Sequence, residues 1–204
     1  MSVESVMARI AEINGMLAPP RAEPPPAAAT TTFGTALDQA TGAAGTPAAA
    51  PLGWNAAGGG TAGQRMLAAA QAELGQAEAP PGSNDSPRIA EYRTATAGSG
   101  VGPWCAYFVS WAAKQAGAPL GEQGQGFGAV SAVMAWGERT GRALPAGAKP
   151  QAGDIIVWGS RHIGIVENVL PDGRIQTIEG NSSDRVSRRT YGTDGGGATG
   201  YVRL

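Results

Sequence analysis

The chain has 204 residues, and its 15 Lys and Arg nearly balance its 16 Asp and Glu, for a net charge of −1. That balance gives no electrostatic ground for a nucleic-acid partner, and no apolar run reaches the roughly 18 residues of a membrane-spanning helix. A single cysteine, Cys105, excludes an internal disulfide, and with a single histidine, His162, it leaves too few ligands for a usual zinc site. No metal and no cofactor are expected. The 32 glycines, more than double the average share of about 7%, and the 15 prolines imply long loops and at least one unfolded stretch.

In residues 1–17, Val3, Val6, Met7, Ile10, Ile13 and Leu17 recur at helical spacing with charges opposite, which predicts an amphipathic helix. A single helix of this length is marginal alone, so it is expected to dock, on a protein partner rather than on the main domain because a long tether follows. Glu4, Arg9 and Glu12 interrupt the stretch where a secretory signal needs an uncharged apolar core. Export would need another route. Residues 18–60 are rich in Pro, Ala and Gly and cannot bury enough apolar surface to offset ordering, so a disordered linker is expected. A short apolar patch centred on Phe33 interrupts it.

From residue 61 the composition is that of a globular domain, and 61–204 is long enough for one core. A helix is predicted from Gln64 to Leu74, stopped by Gly75. A long loop, Pro80 to Gly102, leads to Pro103, a good first helical residue because its missing N–H loses nothing there. The helix it opens runs to Ala116, and a third follows from Val130 to Thr140. After Pro150 the pattern changes to strands: Asp154 to Trp158, His162 to Val169, Arg174 to Glu179, Arg185 to Tyr191 and Thr199 to Arg203. Helices first and an antiparallel sheet afterwards define an α+β domain.

The chemistry concentrates on four residues. Cys105 falls in the first turn of its predicted helix, where unpaired N–H groups and the helix dipole favour a thiolate and can also receive an oxyanion. His162, at a strand start, is a candidate base for that thiol. Its tautomer needs an acceptor on the other ring nitrogen. Glu179 and Asn181, two residues apart, are read as facing the same way on a neighbouring strand, so that one orients the imidazole and the other assists or helps hold the oxyanion. Trp104, Trp158 and Tyr191 are candidates for lining a substrate groove, with filling the core as the alternative. Arg185, Arg188 and Arg189 read as a solvated strand face, with anionic polymers as the alternative. Asp154 reads as a structural residue at a strand opening.

The segments Gly102-Pro103-Trp104-Cys105-Ala106-Tyr107-Phe108-Val109-Ser110-Trp111, Gly153-Asp154-Ile155-Ile156-Val157-Trp158, His162-Ile163-Gly164-Ile165-Val166 and Ile178-Glu179-Gly180-Asn181 resemble the CHAP family of cysteine, histidine-dependent amidohydrolases and peptidases. The resemblance covers roughly residues 61–204. It implies a papain-like α+β domain related to NlpC/P60 enzymes, with N-terminal helices packed on the antiparallel sheet. Cys105 would be the nucleophile, His162 the base, and Glu179 and Asn181 the orienting groups. The implied substrate is peptidoglycan, cut at the N-acetylmuramoyl-L-alanine amide or at a peptide bond of the stem or cross-bridge, outside the cytoplasm. The calcium-holding Asp-x-Asp loop of some members has no counterpart in Ser83-Asn84-Asp85-Ser86. The N-terminal helix and tether loosely resemble those of flagellum-associated wall hydrolases, which would make a flagellar component the partner of residues 1–17 and flagellar export the route. Two other readings stay open at this stage: a non-catalytic wall-binding or flagellar assembly module using the same groove, and a thiol peptidase acting on proteins.

Overall fold

A computed structural model describes residues 60–204. The helix expected over 1–17, the patch at Phe33 and all but the last residue of the expected linker lie outside the described residues.

Among the described residues four helices precede the sheet: α1 (Ala62–Gln71), α2 (Pro87–Arg93), α3 (Cys105–Gln115) and α4 (Val130–Arg139). Each of the first two starts on a local signal. Thr61 caps α1 and exchanges hydrogen bonds with Gln64 in a reciprocal capping box. Ser86 accepts from the N–H of Ile89 at the start of α2, with Pro87 in the first turn. Helix α2 corrects the expectation of an unbroken loop from Pro80 to Gly102.

The strands are β1 (Ala143–Pro145), β2 (Ile155–Trp158), β3 (His162–Val169), β4 (Ile175–Glu179), β5 (Ser187–Tyr191) and β6 (Gly200–Val202). They form one antiparallel sheet in the order β1-β6-β2-β3-β4-β5. The architecture is α+β, as expected. Strand β1, three residues long, is an addition to the five strands read from the sequence.

Alternation along the strands gives the sheet two apolar faces. Ile155, Val157, Ile163, Ile165, Ile178 and Val202 pack against Met66, Phe108, Val109, Ala112 and Val133 of the helices. Ile156, Trp158, Val166, Ile175 and Tyr201 form a second cluster with Ala198, on which Leu144, Ala148 and Tyr191 pack. Full burial of one such side chain contributes about 1.5–3 kcal/mol, so the helix–sheet layer carries most of the stability. Helix α3 is the centre of that layer. It contacts α1, α2 and β3, and eight of its eleven residues are buried.

Two glycine contacts set how closely the layers approach. A Cβ on Gly63 of α1 would stand 2.8 Å from the carbonyl oxygen of Gly153, just ahead of β2. A Cβ on Gly180, just after β4, would stand 2.6 Å from Cβ of Phe108 and 2.8 Å from the Trp104 ring. Both lie under the closest approach that real Cβ atoms show, so each position requires glycine. The second contact holds the end of β4 against the start of α3.

Asp154 is structural, in line with its sequence reading. Its buried carboxylate accepts two hydrogen bonds from Arg203, at 2.8 and 2.7 Å, and one from the backbone N–H of Gln151 at 2.7 Å. It thereby clips the β2 entrance to the C-terminal strand.

Candidate active site

Cys105 is the first residue of α3, two positions later than Pro103 would have opened it. Trp104 takes the N-cap position without a side-chain cap, and the first backbone bond of the turn runs from the N–H of Phe108 to the carbonyl of Trp104 at 2.9 Å. The N–H groups ahead of Phe108 therefore receive no capping side chain. The thiol is free and only 6% exposed.

His162 begins β3, paired across the strand with Trp158 of β2. Its Nε2 lies 2.8 Å from Oε2 of Glu179, which leaves Nδ1 as the free ring nitrogen, and Cys105 is near enough to act on the ring's charge. The indole of Trp158 stacks on the imidazole with centroids 5.5 Å apart and planes 25° from parallel. Burial works against a charged ring, but the nearby Cys105 and the bonded Glu179 outweigh it, and the His162 pKa is pushed up to about 9. The ring holds its proton through neutral pH.

Glu179, the last residue of β4, is 1% exposed. Burial alone would raise its pKa, yet hydrogen bonds from His162 and Thr177, with the imidazolium charge and the nearby Tyr191 hydroxyl, bring it below the ordinary value. The Thr177 hydroxyl donates to Oε1 at 2.6 Å. Burial, then the charge and hydrogen bond of Glu179, push the Tyr191 pKa far up, so its hydroxyl stays a neutral donor. Gly164 makes room for the carboxylate arm: a Cβ there would stand 2.7 Å from Cγ of Glu179.

The structure thus joins Cys105, His162 and Glu179 in one row. Asn181 is placed differently from its sequence reading. Strand β4 ends at Glu179, and Asn181 lies in the following turn at φ 56°, so the alternation expected to carry it onto the face of Glu179 stops two residues short of it. Its side-chain amide donates to Oδ1 of Asn84 at 3.3 Å rather than to the imidazole. It still lines the cleft.

Both tryptophans require correction as groove-lining residues. Trp104 is fully buried against Tyr92 and Phe108, and its Nε1–H donates to Oε1 of Glu78 at 2.9 Å. Trp158 is 5% exposed, donates to the carbonyl of Gly195 at 2.8 Å and carries the imidazole on its face. Neither is open to a ligand. Trp158 acts on the site through the histidine it supports.

A cleft of about 500 Å³ opens beside the row, lined by His162, Glu179, Asn181, Ser182, Arg189 and Tyr191 among others. Sequence reasoning did not single out Thr177, Glu78 or Asn84, whereas Tyr191, read as groove-lining, does line the cleft. Thr177 was within reach, two residues before Glu179 on the same strand. Glu78 accepts from Trp104 and, at 2.7 Å, from the backbone N–H of Asn84, so it ties the loop ahead of α2 to the turn that carries the thiol. No sequence pattern signals that link. In that same loop Asp85 is held by Arg93, which donates at 2.5 Å.

The fold and site define an α+β domain in which a helix N-terminal thiol faces a strand-borne imidazole backed by a buried carboxylate. The family model for the CHAP domain matches residues 96–181. That stretch contains Cys105, His162 and Glu179 and ends on Asn181, so the resemblance carried by the four motifs holds there. Among solved structures, the chain is similar to the peptidoglycan hydrolase RipB from Mycobacterium tuberculosis, at 20% identity and a TM-score of 0.43, over 70% of this chain and 64% of that one. The alignment therefore spans less than two thirds of RipB's chain. Comparison with curated protein sequences finds no match. Among the described residues, no helix is long and apolar enough to cross a membrane.

Proposed function

We propose that the protein is a peptidoglycan hydrolase that cleaves an amide bond through nucleophilic attack by Cys105. The bond is the N-acetylmuramoyl-L-alanine amide or a peptide bond of the stem or cross-bridge. Such a substrate requires action outside the cytoplasmic membrane. The observation that carries the reading is the His162 ring bonded at 2.8 Å to the buried Glu179 carboxylate, with Cys105 near enough to act on its charge and its pKa raised to about 9. The match to the CHAP domain over the same residues supports it.

In this reading the thiol has given its proton to the imidazole, and the sulfur attacks the carbonyl carbon. The developing oxyanion is received by N–H groups of the first turn of α3. His162 then hands its proton to the leaving amine, leaving an acyl-thioester on Cys105. Water attacks the thioester while His162 takes up the water's proton, and the acid leaves. Glu179 keeps the ring oriented and stabilises its charged form throughout.

The test is clearing of purified cell walls by wild type and by Cys105→Ala. Wild type is expected to clear them and the variant not. Equal clearing by both would discard the thiol mechanism.

A second reading, a non-catalytic wall-binding module, is favoured by one observation. Cys105 is 6% exposed and does not line the cleft. It predicts no clearing by either protein and wall binding that Cys105→Ala leaves unchanged.

A further inference from the structure

Besides the His162 imidazolium, which is paired with Glu179, the cleft contains the Arg189 guanidinium, and among the described residues that guanidinium has no acidic partner. The three arginines of β5 and its approach are therefore not equivalent. Arg188 points to the opposite face of the strand and is taken by Glu167. Arg185 lies before the strand and pairs with Ala77 through the backbone. Arg189 faces the same way as Tyr191, and its charge acts on the Tyr191 hydroxyl.

Arg189 is also held in place without being neutralised. Its Nε donates to the Ser182 hydroxyl at 3.0 Å and its Nη2 to the Ser183 hydroxyl at 2.7 Å. These are neutral acceptors, and they aim the fork while leaving its charge and the remaining N–H groups for a ligand. The turn that supplies them is conformationally demanding. Asn181, Ser183 and Asp184 all have φ between 56° and 59°, a region that non-glycine residues rarely occupy. An exposed guanidinium aimed at a cleft by two hydroxyls matches a planar carboxylate.

We propose that Arg189 is a specificity residue that binds a carboxylate of the substrate close to the scissile amide, so that the enzyme prefers peptidoglycan peptides with a free acid there over the same peptides carrying a carboxamide. This rests on the hydrolase reading above, and the test separates the two.

Matched soluble muramyl-peptide fragments, differing only in free acid or carboxamide, are offered to full-length wild type, Arg189→Gln and Arg189→Lys, and kcat/KM is measured. Wild type is expected to prefer the acid on the order of tenfold. Arg189→Gln should erase that ratio by losing rate on the acid alone, and Arg189→Lys should retain part of it. A wild-type ratio near one, or an equal loss on both fragments in Arg189→Gln, overturns the proposal. The same fragments are titrated against the full-length Cys105→Ala protein with and without Arg189→Gln. If wild type cleaves neither fragment, hydrolysis fails, and binding decides the role of Arg189. Acid-selective binding that disappears with Arg189→Gln supports it, and unselective binding overturns it.

Discussion

Gly180 and Phe108 meet where strand β4 ends and helix α3 begins, so closely that a Cβ on the glycine would lie 2.6 Å from Cβ of the phenylalanine. Phe108 is one turn along from Cys105, and Gly180 directly follows Glu179. The contact thus couples the element that carries the thiol to the element that carries the carboxylate. Gly180→Ala is expected to push them apart, destabilising by about 1–3 kcal/mol and reducing wall clearing. Gly100→Ala, where the added methyl meets nothing within 4 Å, serves as the control and should leave both unchanged. Thermal unfolding and clearing rate check this.

The carboxylate arm of Glu179 passes over Gly164, which has no Cβ to block it. Gly164→Ala is expected to displace Glu179 from the imidazole and lower activity more than stability. Glu179→Gln keeps the shape but removes the charge facing Nε2. It should reduce kcat by about 10²–10⁴-fold, the range seen when a base loses its orienting acid, and should lower the His162 pKa. The chain has one histidine, so a single imidazole signal in an NMR titration reports it directly.

His162 has its folded-state pKa raised from 6.5 to about 9. A raised basic group stabilises the folded state fully below its unfolded pKa and loses that contribution as pH rises through the folded value. The gap in Tm between wild type and His162→Gln should therefore be full at about pH 6 and shrink between about pH 6.5 and 9. A gap that widens over the same range would contradict the assigned charge state.

Trp104 lies next to the thiol but is fully buried, and its indole N–H is tied to Glu78. Trp104→Phe leaves that Glu78 oxygen unpaired in a buried setting and should destabilise by about 1–3 kcal/mol. Because no face of the ring meets the cleft, KM for soluble fragments should stay at the wild-type value. Denaturant unfolding alongside steady-state kinetics separates the two effects.

Much of this arrangement was legible in the sequence because the informative segments are local. Strand β3 runs from His162 to Val169 as read, since Ile163, Ile165, Val166 and Val169 between turn signals leave little choice. The helix carrying Cys105 was legible from its apolar face and the Gly117 stop. Helix α2 was missed because seven residues make only two turns, too few for a clear periodicity, and its Ser86–Pro87 start lies in a loop rich in the same residue types. Asn181 was misplaced by extending strand alternation past Gly180. Trp104 was misread because its direction is set by Tyr92, Phe108 and Glu78, which come from other parts of the chain. The roles of Tyr191 and Arg189 depend on the register of β5 against β4, a non-local fact that no single segment contains.

The most direct test of the central claim is the rate of Cys105 alkylation by iodoacetamide as a function of pH, in wild type and in His162→Gln. The chain has one cysteine, so mass spectrometry reads one site. A thiolate paired with the His162 imidazolium predicts rapid modification well below pH 8 in wild type, and a shift of the profile to higher pH in the variant. A wild-type thiol that stays unreactive below pH 8, or identical profiles for the two proteins, would contradict it.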